Sequence, residues 1–224
     1  MAAPEPGRAR LMALYAFNLE VARAGYVASE PLLGEIRLRW WADAVAEIHA
    51  GSVRRHEVSA PLAEAVREAG LPHGPLAALI DARAWDCGRD AFADLEAVEA
   101  YLEATGAGLM WLAALALGAP AATEGAVRDL GRATAAAAFL RAAPSLRALG
   151  RRPEPLDGLA EAGLGWLARA QAGRGAVPAR CLAAVLPSAG AGAALRRAVR
   201  GQALDVSEFR GRAAMLGVAL SGRW

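Results

Sequence analysis

Lysine is missing from all 224 residues, so the 25 basic side chains are arginine throughout. Asn and Ile are nearly absent while Ala abounds, a bias that points to a GC-rich genome rather than to a function. Cysteine is scarce too. Cys87 and Cys181 are too few for a disulfide framework or a four-ligand zinc site, which makes a reducing, cytoplasmic compartment the expectation. The first residues, Met1-Ala2-Ala3-Pro4-Glu5-Pro6-Gly7-Arg8, carry an early acid and prolines with no apolar stretch behind them, and do not read as a secretory signal. No segment alternates like a strand for more than a few residues. No block of like charge marks a disordered tail, and 21% charged residues among many Leu and Ala exclude intrinsic disorder.

What is present is helical periodicity and an uneven charge. The formal net charge of +2 divides into 16 acids against 10 Arg in residues 1–120 and 7 acids against 15 Arg in residues 121–224. The Arg pairs at 54/55, 151/152 and 196/197 are dispersed at helix ends and linkers, so no nucleic-acid surface is read from them. Between Glu103 and Glu124 lie 20 uncharged residues. Gly106, Gly118 and Pro120 bracket about 14 helical positions there, roughly 21 Å at 1.5 Å per residue, short of a hydrocarbon core of about 30 Å. The stretch reads as a buried core helix rather than a membrane span.

The spacing predicts helices over Arg8 to Val27 and from Pro31 to about Ala50, with Ser29 as N-cap of the second and Leu33, Ile36, Trp40, Ala44 and Ile48 on its apolar face. Further helices are expected from Ser59 to Ala69, Leu76 to Cys87, Asp94 to Thr105 and Ala121 to Leu149, with Pro144 as a kink or boundary. Gly150 to Pro155 reads as a linker. Beyond it lie helices over Leu159 to Ala172, Pro178 to Val185, Ala191 to Val199 and Ser207 to Leu220. Short loops favour antiparallel neighbours, so the expectation is one all-α domain over 1–224. Within it, 1–7 form a flexible N-terminus, 150–156 a linker and 157–224 the C-terminal helices.

Chemistry-bearing residues are few. His49, His56 and His73 lack metal-ligand spacing and read as solvated surface side chains, and Cys87 lacks a partner base. Arg37, Arg39, Trp40 and Trp41 form a distinctive group. Adjacent helical positions point about 100° apart, so one Trp can enter the core while the other meets a neighbouring element or a partner. Asp81, Asp86 and Asp90 read either as an ordinary acidic face paired with Arg83 and Arg89, or as a face able to hold a metal–diphosphate, with Asp86 and Asp90 at i, i+4.

Several segments, in order, resemble the squalene/phytoene synthase family. Leu14-Tyr15-Ala16-Phe17 is similar to the Tyr-Ala-Phe start of its first catalytic helix, and Leu38 to Val45 with Trp41 to the Trp-containing helix that follows. Leu79-Ile80-Asp81 through Asp86 resembles its Leu-Ile-Asp segment, and Tyr101 to Ala107 its Tyr-x-x-x-x-Ala-Gly turn, with Gly106-Ala107 in place of Ala-Gly. Leu130-Gly131-Arg132-Ala133, Phe139-Leu140-Arg141 and Gly150-Arg151 follow at the family spacing; the last 70 or so residues match loosely.

The resemblance implies the all-α isoprenoid synthase type of fold, and two Asp-rich motifs that hold Mg²⁺ around a diphosphate leaving group. Those positions differ here. The resemblance puts Ala22 and Arg23 at the first Asp pair, Tyr26 at its third Asp, and Ala142 and Leu146 in the second motif. No Asp lies between 1 and 42 or between 130 and 156 to serve in a shifted register. The segment Ala16 to Ala22 with Ser29 to Trp41 resembles the branch that contains the mitochondrial assembly factor for respiratory complex I and its bacterial relatives.

This implies a pseudo-enzyme with no cofactor, acting on a protein partner in respiratory-complex assembly, cytoplasmic or peripheral at the inner face of the membrane. Arg37, Arg39, Trp40 and Trp41 are then the partner-binding candidates. Two alternatives stand beside it. One is a Mg²⁺-dependent prenyltransferase condensing isoprenyl diphosphates, with Asp81, Asp86 or Glu20 as substitute metal ligands and Tyr15, Arg141 and Arg151 as diphosphate or ligand contacts. The other is a peripheral isoprenoid or lipid carrier.

Overall fold

The computed structural model describes residues 3, 5–27, 30–204 and 208–224. Every regular element among them is helical. The helices are α1 (Gly7–Val27), α2 (Pro31–His49), α3 (Ser59–Ala69), α4 (His73–Ala82), α5 (Leu95–Leu102), α6 (Gly108–Ala116), α7 (Glu124–Ala148), α8 (Leu159–Gly173), α9 (Leu182–Val185), α10 (Ala191–Val199) and α11 (Glu208–Ser221). A 3-10 turn, Arg83–Cys87, continues α4, and a π-turn, Glu103–Ala107, joins α5 directly to α6. Of the expected flexible start, residues 1, 2 and 4 lie outside the described residues and Gly7 already belongs to α1; Ser29, the expected N-cap of α2, is also outside them.

Local chemistry sets the ends. Asp94 caps α5 by accepting the Ala97 N–H at 2.8 Å. Pro31 opens α2, where its missing N–H costs nothing. The uncharged stretch forms α6, whose Met110, Trp111, Leu112 and Ala113 are buried at the centre of the molecule. Around it, α1 packs on α2, α3 and the Arg83–Cys87 turn, while α7 packs on α6, the π-turn, α8 and α10. No helix of the described residues is long and apolar enough to cross a membrane.

The π-turn joins two helices that the glycines had suggested were separate. At this crossing Gly106 and Gly131 face each other: a methyl group on Gly131 would lie 2.5 Å from the Ala107 main chain, and one on Gly106 would run into the Ala135 side chain. The missing side chains let α7 approach the π-turn backbone to backbone. Gly25 plays the same part on α1, where any side chain would collide with the Asp86 carbonyl.

Three further expectations change. Helix α7 runs through Pro144 without ending, because that residue is exposed and only one backbone donor is lost near the helix end. The apolar face of α2 is rotated in part: Ala44 and Ile48 are buried as expected, but Gly34, Leu38, Trp41 and Val45 join them, whereas Leu33 and Ile36 are 50% and 56% exposed. Residues 150–156 are packed rather than loose. Pro153 is buried, the Phe92 N–H donates to the Glu154 carbonyl at 3.1 Å, and Arg147 pairs with Glu154 at 2.6 Å.

Candidate functional site

A cavity of about 260 Å³ opens between the C-terminal end of α1, the Arg83–Cys87 turn, the π-turn and the second half of α7. Its wall carries the rings of Trp85, Tyr101 and Phe139, with ring centroids 5.5 to 6.1 Å apart, and Phe92 stacks behind Trp85 at 4.3 Å. Ala135, Ala138 and Ala142 of α7 form an apolar side. A second cavity of about 190 Å³ adjoins it, sharing Tyr26 and lined also by Gly25, Cys87, Arg89 and Arg151.

The polar corner of the larger cavity is a hydrogen-bonded cluster of Arg83, Asp86 and Tyr101. Asp86 is 1% exposed. Its Oδ2 accepts from Arg83 Nη1 at 3.0 Å, and the Tyr101 hydroxyl reaches Oδ1 at 3.1 Å and Oδ2 at 3.3 Å. Arg83 Nη1 also lies 2.9 Å from the Tyr101 oxygen, and the guanidinium sits 5.8 Å from that ring's centroid. Burial pushes the Tyr101 hydroxyl well above the ordinary tyrosine range, against the pull of Arg83. Burial works to lower Arg83, but the Tyr101 oxygen and the Asp86 carboxylate outweigh it and hold the guanidinium above its usual value. The cluster is therefore an internally neutral Arg–Asp pair with a protonated tyrosine across it.

Sequence and structure part company over the acidic face. Asp81 is exposed on α4, against Glu35 and Arg39 of α2, while Asp86 turns inward on the 3-10 segment and Asp90 lies in the loop beyond. The helical segment ends at Cys87 with Gly88 in an extended conformation, so Asp90 lies off the helix and the i, i+4 relation expected of Asp86 and Asp90 is absent. Arg83, expected as a surface counter-ion, is the buried partner. Local periodicity carried no signal that pairs Asp86 with Tyr101 across 15 positions.

The other candidates are dispersed. Arg151 donates to the Gly25 carbonyl at 2.9 Å and the Gly88 carbonyl at 3.3 Å, and its guanidinium lies 4.8 Å from the Tyr26 ring centroid; it ties the end of α1 to the loop after Cys87. Arg141 is exposed on α7 and makes no hydrogen bond or ion pair among the described residues. Tyr15 packs half-buried against the core, where burial raises its hydroxyl pKa. Glu20 is part-exposed on α1 and lines neither of these two cavities.

Trp41 is 1% exposed, edge-on to Phe17 and Trp40, which places it in the core and out of a partner's reach. Trp40 is half-buried under Arg54, Arg39 pairs with Asp43 at 3.4 Å, and Arg37 is exposed. The histidines are more engaged than expected. His49 contacts the carbonyls of Val45 and Leu71 at 2.9 and 3.0 Å, and His56 packs on both tryptophans.

Three of the five positions that the resemblance assigns to metal carboxylates, Tyr26, Ala142 and Leu146, line the larger cavity. Ala22 is part-buried and Arg23 exposed. Asp86 is the one carboxylate on the lining, and both its oxygens are taken by Arg83 and Tyr101. Among the described residues no group of three or more His, Cys, Asp or Glu is placed to hold a metal ion. Mg²⁺ binds through one or two free carboxylates together with substrate phosphates, so this donor set does not fit it.

A family profile described as squalene/phytoene synthase matches residues 1–222. Over 142 residues the chain is 30% identical to the Bos taurus protein, and 28% to the Homo sapiens protein, named NADH dehydrogenase (ubiquinone) complex I, assembly factor 6. Those residues are 63% of this chain and 43% of each relative, so the match spans less than half of the relatives' length. The crystal structure of squalene synthase HpnC from Alicyclobacillus acidocaldarius has a TM-score of 0.76 to this chain, covering 89% of it and 86% of the other at 17% identity, and has the same fold.

Proposed function

The chain belongs to the squalene/phytoene synthase family, and from that premise we propose that it is a non-catalytic member serving the assembly of respiratory complex I. The observation that carries the reading is the lining of the larger cavity. Tyr26, Ala142 and Leu146 stand where family enzymes hold metal carboxylates, and the one carboxylate left is neutralised by Arg83. Ionising an allylic diphosphate needs Lewis-acid charge at the departing oxygens, and this cavity has no free carboxylates to recruit it. The assembly role is supported by the similarity to proteins named as complex I assembly factors. Leu32, Leu33 and Ile36 add an exposed apolar group beside Arg37, a surface fitted to a protein partner.

Deleting the gene and measuring complex I on native gels and by NADH:quinone activity tests this. Loss of the assembled complex, restored by the wild-type chain, is expected. Unchanged assembly in the deletion strain would remove the reading.

A further inference from the structure

Arg83 lines the larger cavity with a guanidinium edge that is not fully used, among mostly apolar side chains. Arg83 Nη1 is committed to Asp86 and Tyr101, whereas Nη2 makes no hydrogen bond among the described residues. The Arg83 side chain is 16% exposed and lines the cavity, and its Nε is buried without a partner. The positive charge is matched by a carboxylate oxygen 3.0 Å away. A bound anion drawn to Arg83 would be pushed back by Asp86 and would still lose its hydration. A neutral carbonyl oxygen loses far less hydration and meets far less repulsion, and takes a charge-assisted hydrogen bond from the free edge of the guanidinium. The rings of Trp85 and Phe139 and the methyl groups of Ala135, Ala138 and Ala142 then suit an apolar or aromatic body.

We propose that this cavity binds an uncharged, largely apolar molecule through a single hydrogen-bond-accepting oxygen, with Arg83 as the donor and no metal. The ligand class is that of aromatic ketones and quinones, in contrast to the metal-held diphosphates implied by the family. The inference rests on the non-catalytic reading only in taking the metal ligands as lost; it is independent of the role in assembly.

Three probes of one shape test it by calorimetry on the full chain: 2-acetylnaphthalene, 2-ethylnaphthalene and naphthalene-2-carboxylate. The ketone should bind at least about tenfold more tightly than the hydrocarbon, the worth of one hydrogen bond to a charged donor. It should also bind more tightly than the carboxylate. Arg83→Met would strand Asp86 and endanger the fold, so the site variant is Ala138→Phe, which fills the cavity from a solvent-reached position. It should weaken ketone binding by about tenfold or more with an unchanged melting temperature.

Ketone and hydrocarbon within about twofold of each other would overturn the proposal, because one charge-assisted hydrogen bond exceeds that. So would tighter binding of the carboxylate, undetectable ketone binding, or indifference to Ala138→Phe. Pyrophosphate release from farnesyl diphosphate with Mg²⁺ is a separate arm. It would refute the non-catalytic reading whatever the ketone does, while a failed ketone test without release refutes this inference alone.

Discussion

Replacing Asp86 by Leu removes the acceptor for both Arg83 and the Tyr101 hydroxyl in a place water barely reaches. Asp86 is 2% and Arg83 16% exposed at the side chain, so the pair is buried and the guanidinium left behind has only the cavity mouth for rehydration. Breaking a buried pair from one side costs about 3–5 kcal/mol, and the partial exposure of Arg83 puts this case at the lower end, about 3 kcal/mol. For a domain of this size each kcal/mol moves the melting temperature by about 2–4 °C, so Asp86→Leu should melt about 6–12 °C lower. The triple variant Arg83→Met, Asp86→Leu, Tyr101→Phe removes the whole polar set together. No charge or hydroxyl is then stranded, and stability should return to within about 1 kcal/mol of wild type. Urea and thermal melts followed by far-UV circular dichroism read both values. A cost below about 1 kcal/mol for Asp86→Leu, or a triple variant as unstable as the single, would refute the view of the cluster as a buried, mutually neutralising set.

Gly131→Ala gains about 1 kcal/mol of helix propensity but drives a methyl group to 2.5 Å from the Ala107 main chain, which cannot yield like a side chain. Overpacking of about 1–3 kcal/mol or more should win, and chemical denaturation showing a net gain would contradict the close crossing. The hydrogen bond from Arg147 holds Glu154 below the usual carboxylate range, so its contribution is present above pH 4.5 and is lost as the pH falls through the folded value. The difference in melting temperature between wild type and Glu154→Gln should therefore shrink on acidification from pH 6 to pH 3, and a growing difference would reverse the sign. Leu33→Asp with Ile36→Asp changes exposed side chains, so it should leave stability within about 0.5 kcal/mol of wild type yet fail to restore complex I in the deletion strain. Full restoration would take this surface out of the account.

Helix positions were legible wherever a local device ends them. Gly51 and Gly70, both at positive φ, follow α2 and α3, and α8 and α10 begin where periodicity places them. The Gly106 region was not legible as one continuous helix, because a glycine reads locally as a break and only the facing Gly131 shows it to be a contact. At the start of α2, Leu33, Ile36 and Trp40 satisfy helical periodicity as well as Gly34, Leu38 and Trp41 do, and the choice is made by Phe17 packing on Trp41, while Ala44 and Ile48 are buried as expected. In the site, the family positions Tyr26, Ala142 and Leu146 converged on one cavity although they come from distant segments. The Arg83–Asp86 pair was legible as a neighbouring opposite-charge pair, but its burial and its link to Tyr101 were not, since they depend on the 3-10 turn after Ala82 and on Gly25 letting α1 lie against Asp86.

We propose a family fold stripped of its metal carboxylates and kept for the assembly of respiratory complex I. The amount of assembled complex I in a strain lacking this gene tests it most directly. Marked loss, restored by the chain carrying Ala142 and Leu146 as they stand, is the predicted result, and a wild-type level of assembled complex would contradict it.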